Sequence, residues 1–148
     1  MLQKITDTSN DFAPTIARLF AGLVMLPHGL QKTVGAFGGS GFEGTMQFFT
    51  ETAGLPYAAA LLVIAGESLG ALGLIFGALA RPAAFGFVAI MTGAALIHLE
   101  NGFFMNWFGT QEGEGFEYHL LMIGLALIVL IKGAGAFSID RLIANRTS

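Results

Sequence analysis

Four long apolar segments, separated by polar and glycine-rich stretches, set the pattern of the chain. They cover residues 13–30, 57–79, 82–99 and 118–131. None alternates between apolar and polar positions as a half-buried strand does, and Ala, Leu and Gly dominate them, so each reads as a helix. At about 1.5 Å of rise per residue, the first three match a hydrocarbon layer of about 30 Å. The strictly apolar part of the fourth is shorter, and it is expected to gain about one turn at each end. Lipid offers no partner to a backbone N–H or C=O, which leaves helices as the spanning structure. The pattern predicts one all-α domain, an integral membrane four-helix bundle of up-down topology.

The connections are unequal. Only residues 80–81 separate the second and third segments, a tight hairpin. Loop 33–56 opens with Gly35, Gly38, Gly39 and Gly41, whereas loop 100–117 carries Phe103, Phe104, Trp107 and Phe108 among its glutamates. With four spans, both long loops lie on one face, and the hairpin and both termini on the other. Lys4, Arg18, Arg81, Lys132, Arg141 and Arg146 fall on the terminal side; Lys32 alone falls on the loop side, beside Glu43, Glu51, Glu100, Glu112, Glu114 and Glu117. Basic residues stay cytoplasmic, so both termini are expected there and both loops outside. Phe42, Met46 and Phe49 repeat at helical spacing, with Ser40 as a cap. They suit a short helix packed on the bundle or lying in the interface, with a lid over a ligand as the second reading. The aromatics of the second loop read first as an interfacial belt.

Composition supports this class. Of 148 residues 54% are hydrophobic and 11% charged, and mean hydropathy is +0.70. A soluble domain carries about 25% charged residues. The absence of cysteine excludes disulfides, thiolate metal sites and thiol exchange by this chain. A net charge of −3 gives no reason to expect a nucleic-acid partner. The first apolar run ends in Pro27-His28-Gly29-Leu30-Gln31-Lys32 and not in a small-residue cleavage site, so it is expected to be a retained span. Gly66, Gly70, Gly73 and Gly77 share one helix face, suited to close approach of a helix of the bundle or of a homo-oligomer.

Ionisable side chains within spans usually face a partner or a cavity. Glu67 lies near the middle of the second span and is expected to point into the bundle, either hydrogen-bonded to a neighbouring helix or serving as a proton carrier or ligand anchor. Arg18 lies near the start of the first span, where its stem is expected to snorkel outward, with an acidic partner as the second reading. All three histidines fall at the outer ends of spans: His28 with Gln31 and Lys32 on the first, His98 on the third, His119 with Glu117 on the fourth. Antiparallel packing brings these ends to one depth. The six residues are therefore candidates for a ligand-binding cluster under the loops, against the plainer reading of a structural hydrogen-bond cluster. His28, His98, His119 and Glu117 have ligand chemistry, but none of the spacings used by metal motifs, and no metal is assigned. Haem ranks behind quinone as a cofactor.

The same residues carry a resemblance. His28-Gly29-Leu30-Gln31-Lys32, Phe37-Gly38-Gly39-Ser40-Gly41, Gly44-Thr45, Phe48-Phe49, Gly54-Leu55-Pro56 and Ala65-Gly66-Glu67 are similar to the DoxX family. So are the block from Ile97 to Phe104, with its His-x-x-Asn-Gly-Phe-Phe pattern, and Gly115-Phe116-Glu117-Tyr118. The resemblance runs from about Arg18 to Asp140. Thr33-Val34 departs from it, where a Leu-Phe pair is common. It implies a small four-span protein of the bacterial inner membrane. Some relatives are linked to thiosulfate:quinone oxidoreduction, others to membrane complexes that handle thiol and oxidative stress. It supplies no catalytic residue set.

Three functions are therefore weighed. The first is an accessory subunit of a membrane redox complex, not an autonomous enzyme, which binds a quinone or a membrane or periplasmic oxidoreductase at the polar cluster. The second, nearly equal, is a scaffold packed against a larger membrane complex. The third is a small-solute or proton pathway through Glu67.

Overall fold

The computed structural model describes residues 5–147. Lys4, which entered the charge argument, lies outside the described residues. Among those residues every regular element is helical. Helix α1 covers Phe12–Thr33 and is capped by the Asp11 carboxylate, which accepts from the Ala13 amide at 2.9 Å. A 3₁₀ turn at Ala36–Gly38 leads to α2, Gly41–Gln47, which continues into a π turn at Phe48–Thr52. Ser40 occupies the cap position of α2, but its side chain makes no capping bond. Helix α3 runs Tyr57–Phe76 and is interrupted by a π turn at Gly66–Gly70. Helix α4, Ala80–His98, ends in a 3₁₀ turn at Leu99–Asn101. Helices α5, Glu117–Lys132, and α6, Ile139–Thr147, complete the chain.

Three helices are long and apolar enough to cross a membrane: Phe12–Thr33, Tyr57–Phe76 and Ala80–Asn101. Helix α5 has 16 residues, apolar from Leu120 to Ile131. Leu62, Leu69, Leu96, Ile97, Leu121 and Ile131 are each at least 63% exposed. An apolar exterior of this extent fits lipid and not water.

The helices touch where side chains are small. A Cβ on Gly22 would sit 2.8 Å from the Ala71 carbonyl oxygen, and one on Gly29 would overlap the backbone of Glu67 and Ser68. So α1 lies directly on α3, antiparallel to it, through glycines the sequence reading passed over. The glycine face of α3 turns to α4, where Gly66 abuts Ile90, Gly70 abuts Phe87 and Gly73 abuts Ala83. Helices α4 and α5 share the most extensive contact, and Met25, Leu74, Phe87, Met91, Met122 and Val129 fill the core between them and the first two.

The hairpin after α3 sits slightly earlier than its predicted position. Gly77 ends the helix at φ +63°, where glycine avoids the penalty of a side chain. Leu79 follows at φ +50°, and the Asp140 carboxylate accepts from the amides of Leu79 and Ala80 at 2.8 and 2.9 Å. A side chain from α6 therefore caps α4.

Arg18 departs from the outward snorkel. It is 1% exposed, and its guanidinium is surrounded by backbone carbonyls. Nε donates to Ala134 at 2.8 Å, Nη1 to Leu74 and Ile75, and Nη2 to Ala136 and Phe137. The physical reason is that the last turn of α3 and the bend after α5 turn several carbonyls inward with acceptor capacity to spare, even where Leu74 also accepts from the Gly77 amide and Ala136 from the Thr15 hydroxyl. Arginine's fork of five donors reaches carbonyls of both segments together, which an acidic partner, offering only acceptors, would not do.

Candidate functional site

The apolar pattern stops at Leu30, but α1 continues through Gln31 and Lys32 to Thr33. That extra turn places His28 and Lys32 four residues apart on one face. Gly29, between them, lets α1 reach the backbone of α3 at the π turn. Lys32 Nζ stands 2.5 Å from Glu67 Oε2, and the two side chains are 23% and 8% exposed. Glu67 is thus an ion-paired acid, joined to the single basic residue of the loop side. The π turn adds a residue to one turn of helix and so redirects the side chains on it; such bulges concentrate at functional sites. The Ser68 hydroxyl donates to the Ile64 carbonyl at 2.7 Å within it.

The far ends of α4 and α5 supply the opposite wall. The Phe116 and Glu117 amides donate to the carbonyls of Gly102 and Phe103, which closes the loop at its base. Rings then run in a row. His28 and Tyr118 have centroids 6.1 Å apart, Tyr118 and His119 5.6 Å, and His119 stacks on His98 at 5.0 Å. His119 is buried; His28 is exposed and stands at the open end. The Tyr118 hydroxyl is buried and has no hydrogen-bond partner. The Glu67 carboxylate acts electrostatically on both His28 and Tyr118, so the ion pair and the ring row form one neighbourhood.

Two candidates are occupied elsewhere. Gln31, in the last turn of α1, donates to the Phe37 carbonyl at 3.4 Å, a weak bond to the loop that follows. Glu117 accepts from the Met105 amide and from Trp107 Nε1, each at 2.9 Å, so it orders the aromatic loop. His98 Nδ1 lies 2.9 Å from the Glu114 carbonyl, so that nitrogen is the donor. The structure thus joins His28, His119 and His98 in one row and Lys32 to Glu67, while Gln31 and Glu117 serve the loops. Among the described residues no group of three or more His, Asp or Glu side chains is arranged to hold a metal ion.

Tyr118 is the member that sequence reasoning missed. It stood in the Gly115-Phe116-Glu117-Tyr118 block, but was read only as the first residue of a span. The signal available was a hydroxyl-bearing ring beside a histidine at the depth of the other histidines. Flat rings in a row, one free hydroxyl and an exposed imidazole suit a planar ligand with carbonyl oxygens. They offer stacking surface and hydrogen-bond donors, next to the half-buried Lys32–Glu67 pair.

The family model for DoxX matches residues 13–100. The chain is also 29% identical over 132 residues to Inner membrane protein YphA of Escherichia coli (strain K12), in an alignment covering 85% of this chain and 86% of that protein. No solved structure matches the chain significantly.

Proposed function

This chain belongs to the DoxX family, as an integral membrane protein, and on that premise we propose that it is an accessory inner-membrane subunit of a redox complex. It binds a quinone headgroup, presented free in the membrane or by a partner oxidoreductase, against the row from His28 through Tyr118 and His119 to His98. In this reading α1, α3, α4 and α5 are four alternating spans, with both termini cytoplasmic and the long loops outside. Helix α5 is about 24 Å long at 1.5 Å per residue, and the bilayer accommodates the shortfall by local thinning. The inner-membrane location follows from the likeness to the Escherichia coli inner membrane protein.

The observation that carries this reading is the buried Tyr118 hydroxyl without a partner. Leaving such a group unsatisfied costs about 1–3 kcal/mol, which a ligand carbonyl would recover. His28 stands beside it as a second donor. The chain has no cysteine for thiol exchange, so a partner carries that part of any thiol-linked reaction.

Purification from native membranes tests the proposal. It predicts about one quinone per chain in the solvent extract, by analogy with other tightly held pocket ligands. Stoichiometric recovery with a larger complex and no quinone would instead support the scaffold reading. That second reading rests on Trp107 and Phe108, which are 78% and 90% exposed at the loop tip. A proton or solute pathway through Glu67 ranks third, because Lys32 already holds that carboxylate.

A further inference from the structure

Helix α6 closes a cleft of about 470 Å³ at the terminal end of the molecule, away from the Lys32–Glu67 pair. Phe76, Phe137 and Leu142 form its apolar walls, and Asn10, Arg141 and Asn145 its polar ones. Phe137 and Leu142 are 81% and 64% exposed. Phe76 is the last residue of α3, so the cleft lies where a spanning helix ends. A short amphipathic helix with basic residues at that level is suited to the boundary between headgroups and acyl chains.

Two features point to an anionic occupant. Arg141 is partly buried, and its Nη1 has no hydrogen-bond acceptor. The surrounding charge is also uneven. Arg141, Arg146 and Lys132 stand on this end with Arg18 and Arg81, which backbone carbonyls hold, against three acids: Asp7, Asp11, which caps α1, and Asp140, which is engaged by the amides of Leu79 and Ala80. An acidic protein segment would satisfy the guanidinium but would leave the apolar walls uncovered; a lipid matches both.

We propose that this cleft is a binding site for an anionic glycerophospholipid. The phosphate meets the Arg141 guanidinium, whose long side chain turns toward the opening to present Nη1. Asn10 and Asn145 donate alongside, and an acyl chain lies on Phe76, Phe137 and Leu142. The site requires only that this end of the protein lie at a membrane boundary, so it holds for either orientation and independently of quinone binding.

The test uses the full chain purified in a neutral detergent and titrated with dioleoylphosphatidylglycerol or dioleoylphosphatidylcholine. Bound lipid is counted by native mass spectrometry, and thermal unfolding is followed in parallel. One phosphatidylglycerol should bind in preference to phosphatidylcholine and raise the unfolding temperature. Arg141→Gln should weaken it about fivefold, the effect of one basic residue at an anionic surface, while Arg141→Lys should retain most of the affinity. Equal binding of the two lipids by the unaltered protein would overturn the proposal, even if Arg141→Gln fails to fold. An equal effect from glycerol 3-phosphate would also overturn it, as it would show a simple anion site.

Discussion

Lys32 Nζ reaches Glu67 Oε2 at 2.5 Å, bridging 35 positions of sequence and joining the last turn of α1 to the π turn of α3. The two partners are unequally buried. Lys32 retains a route to water along its stem, while Glu67 is enclosed. Removing the lysine therefore strands the more deeply buried charge. Lys32→Met is expected to destabilise the protein by about 1–3 kcal/mol, and Glu67→Gln by less, since an amide still accepts from Lys32. Glu67→Lys should cost several kcal/mol, because two ammonium groups would meet within the bundle. Thermal unfolding in detergent orders the three variants; equal stability would show that Glu67 is solvated.

Arg18→Lys should destabilise the protein by about 3 kcal/mol or more, despite keeping the charge. A lysine presents three donors from one point and cannot serve carbonyls on two separate segments. Several buried acceptors would be left unsatisfied, at about 1–3 kcal/mol each before relaxation. The same unfolding measurement applies, and a wild-type melting temperature would contradict the carbonyl cage.

Gly29→Ala tests the close approach of α1 and α3. Its Cβ would overlap the Glu67 and Ser68 backbone, and overpacking of this kind costs about 1–3 kcal/mol. Gly93→Ala, in α4, meets nothing within 4 Å and should be neutral or stabilising by up to about 1 kcal/mol. If both variants behave alike, helix contact is not what requires glycine at position 29.

The contrast between these glycines shows what was legible in the sequence. The apolar runs gave the helices, and the glycine spacing gave a close-packing face on α3 without naming its partner, which is α4 for Gly66, Gly70 and Gly73, while Gly77 ends the helix against Ser138. Lys32–Glu67, the Arg18 cage and the Asp140 cap each join residues far apart in sequence, and no local pattern announces such a pairing. Antiparallel packing brings the three histidines to one level, but depth alone does not show which side chains also bond to the loops, as Glu117 and Gln31 do.

Glu117→Gln separates those two roles. The Trp107 indole loses a charged acceptor, and Trp107 is the only tryptophan in the chain, so its fluorescence reports on the loop directly. The fluorescence anisotropy of Trp107 should fall as the indole is released, while quinone affinity changes by less than about twofold, since a loop tether contributes little to a site it does not touch. A loss of quinone affinity with unaltered fluorescence would return Glu117 to the binding site.

Membrane topology follows from single cysteines introduced into this cysteine-free chain at Ser9 and Ser40, both exposed. An impermeant thiol reagent applied outside the cell should label the Ser40 position and not the Ser9 position. Labelling of both would mean that α1 does not separate the two faces of the membrane.

The central claim is that Tyr118 and His28 bind a quinone carbonyl, and a direct titration tests it. Purified protein is titrated with a short-chain ubiquinone analogue, comparing the unaltered chain with Tyr118→Phe and His28→Ala. Loss of one hydrogen bond is worth about 1 kcal/mol, so Tyr118→Phe should weaken binding about fivefold with the fold intact, and the double variant should weaken it further. Saturable binding that is identical in all four proteins, or no binding to the unaltered chain, would contradict the account.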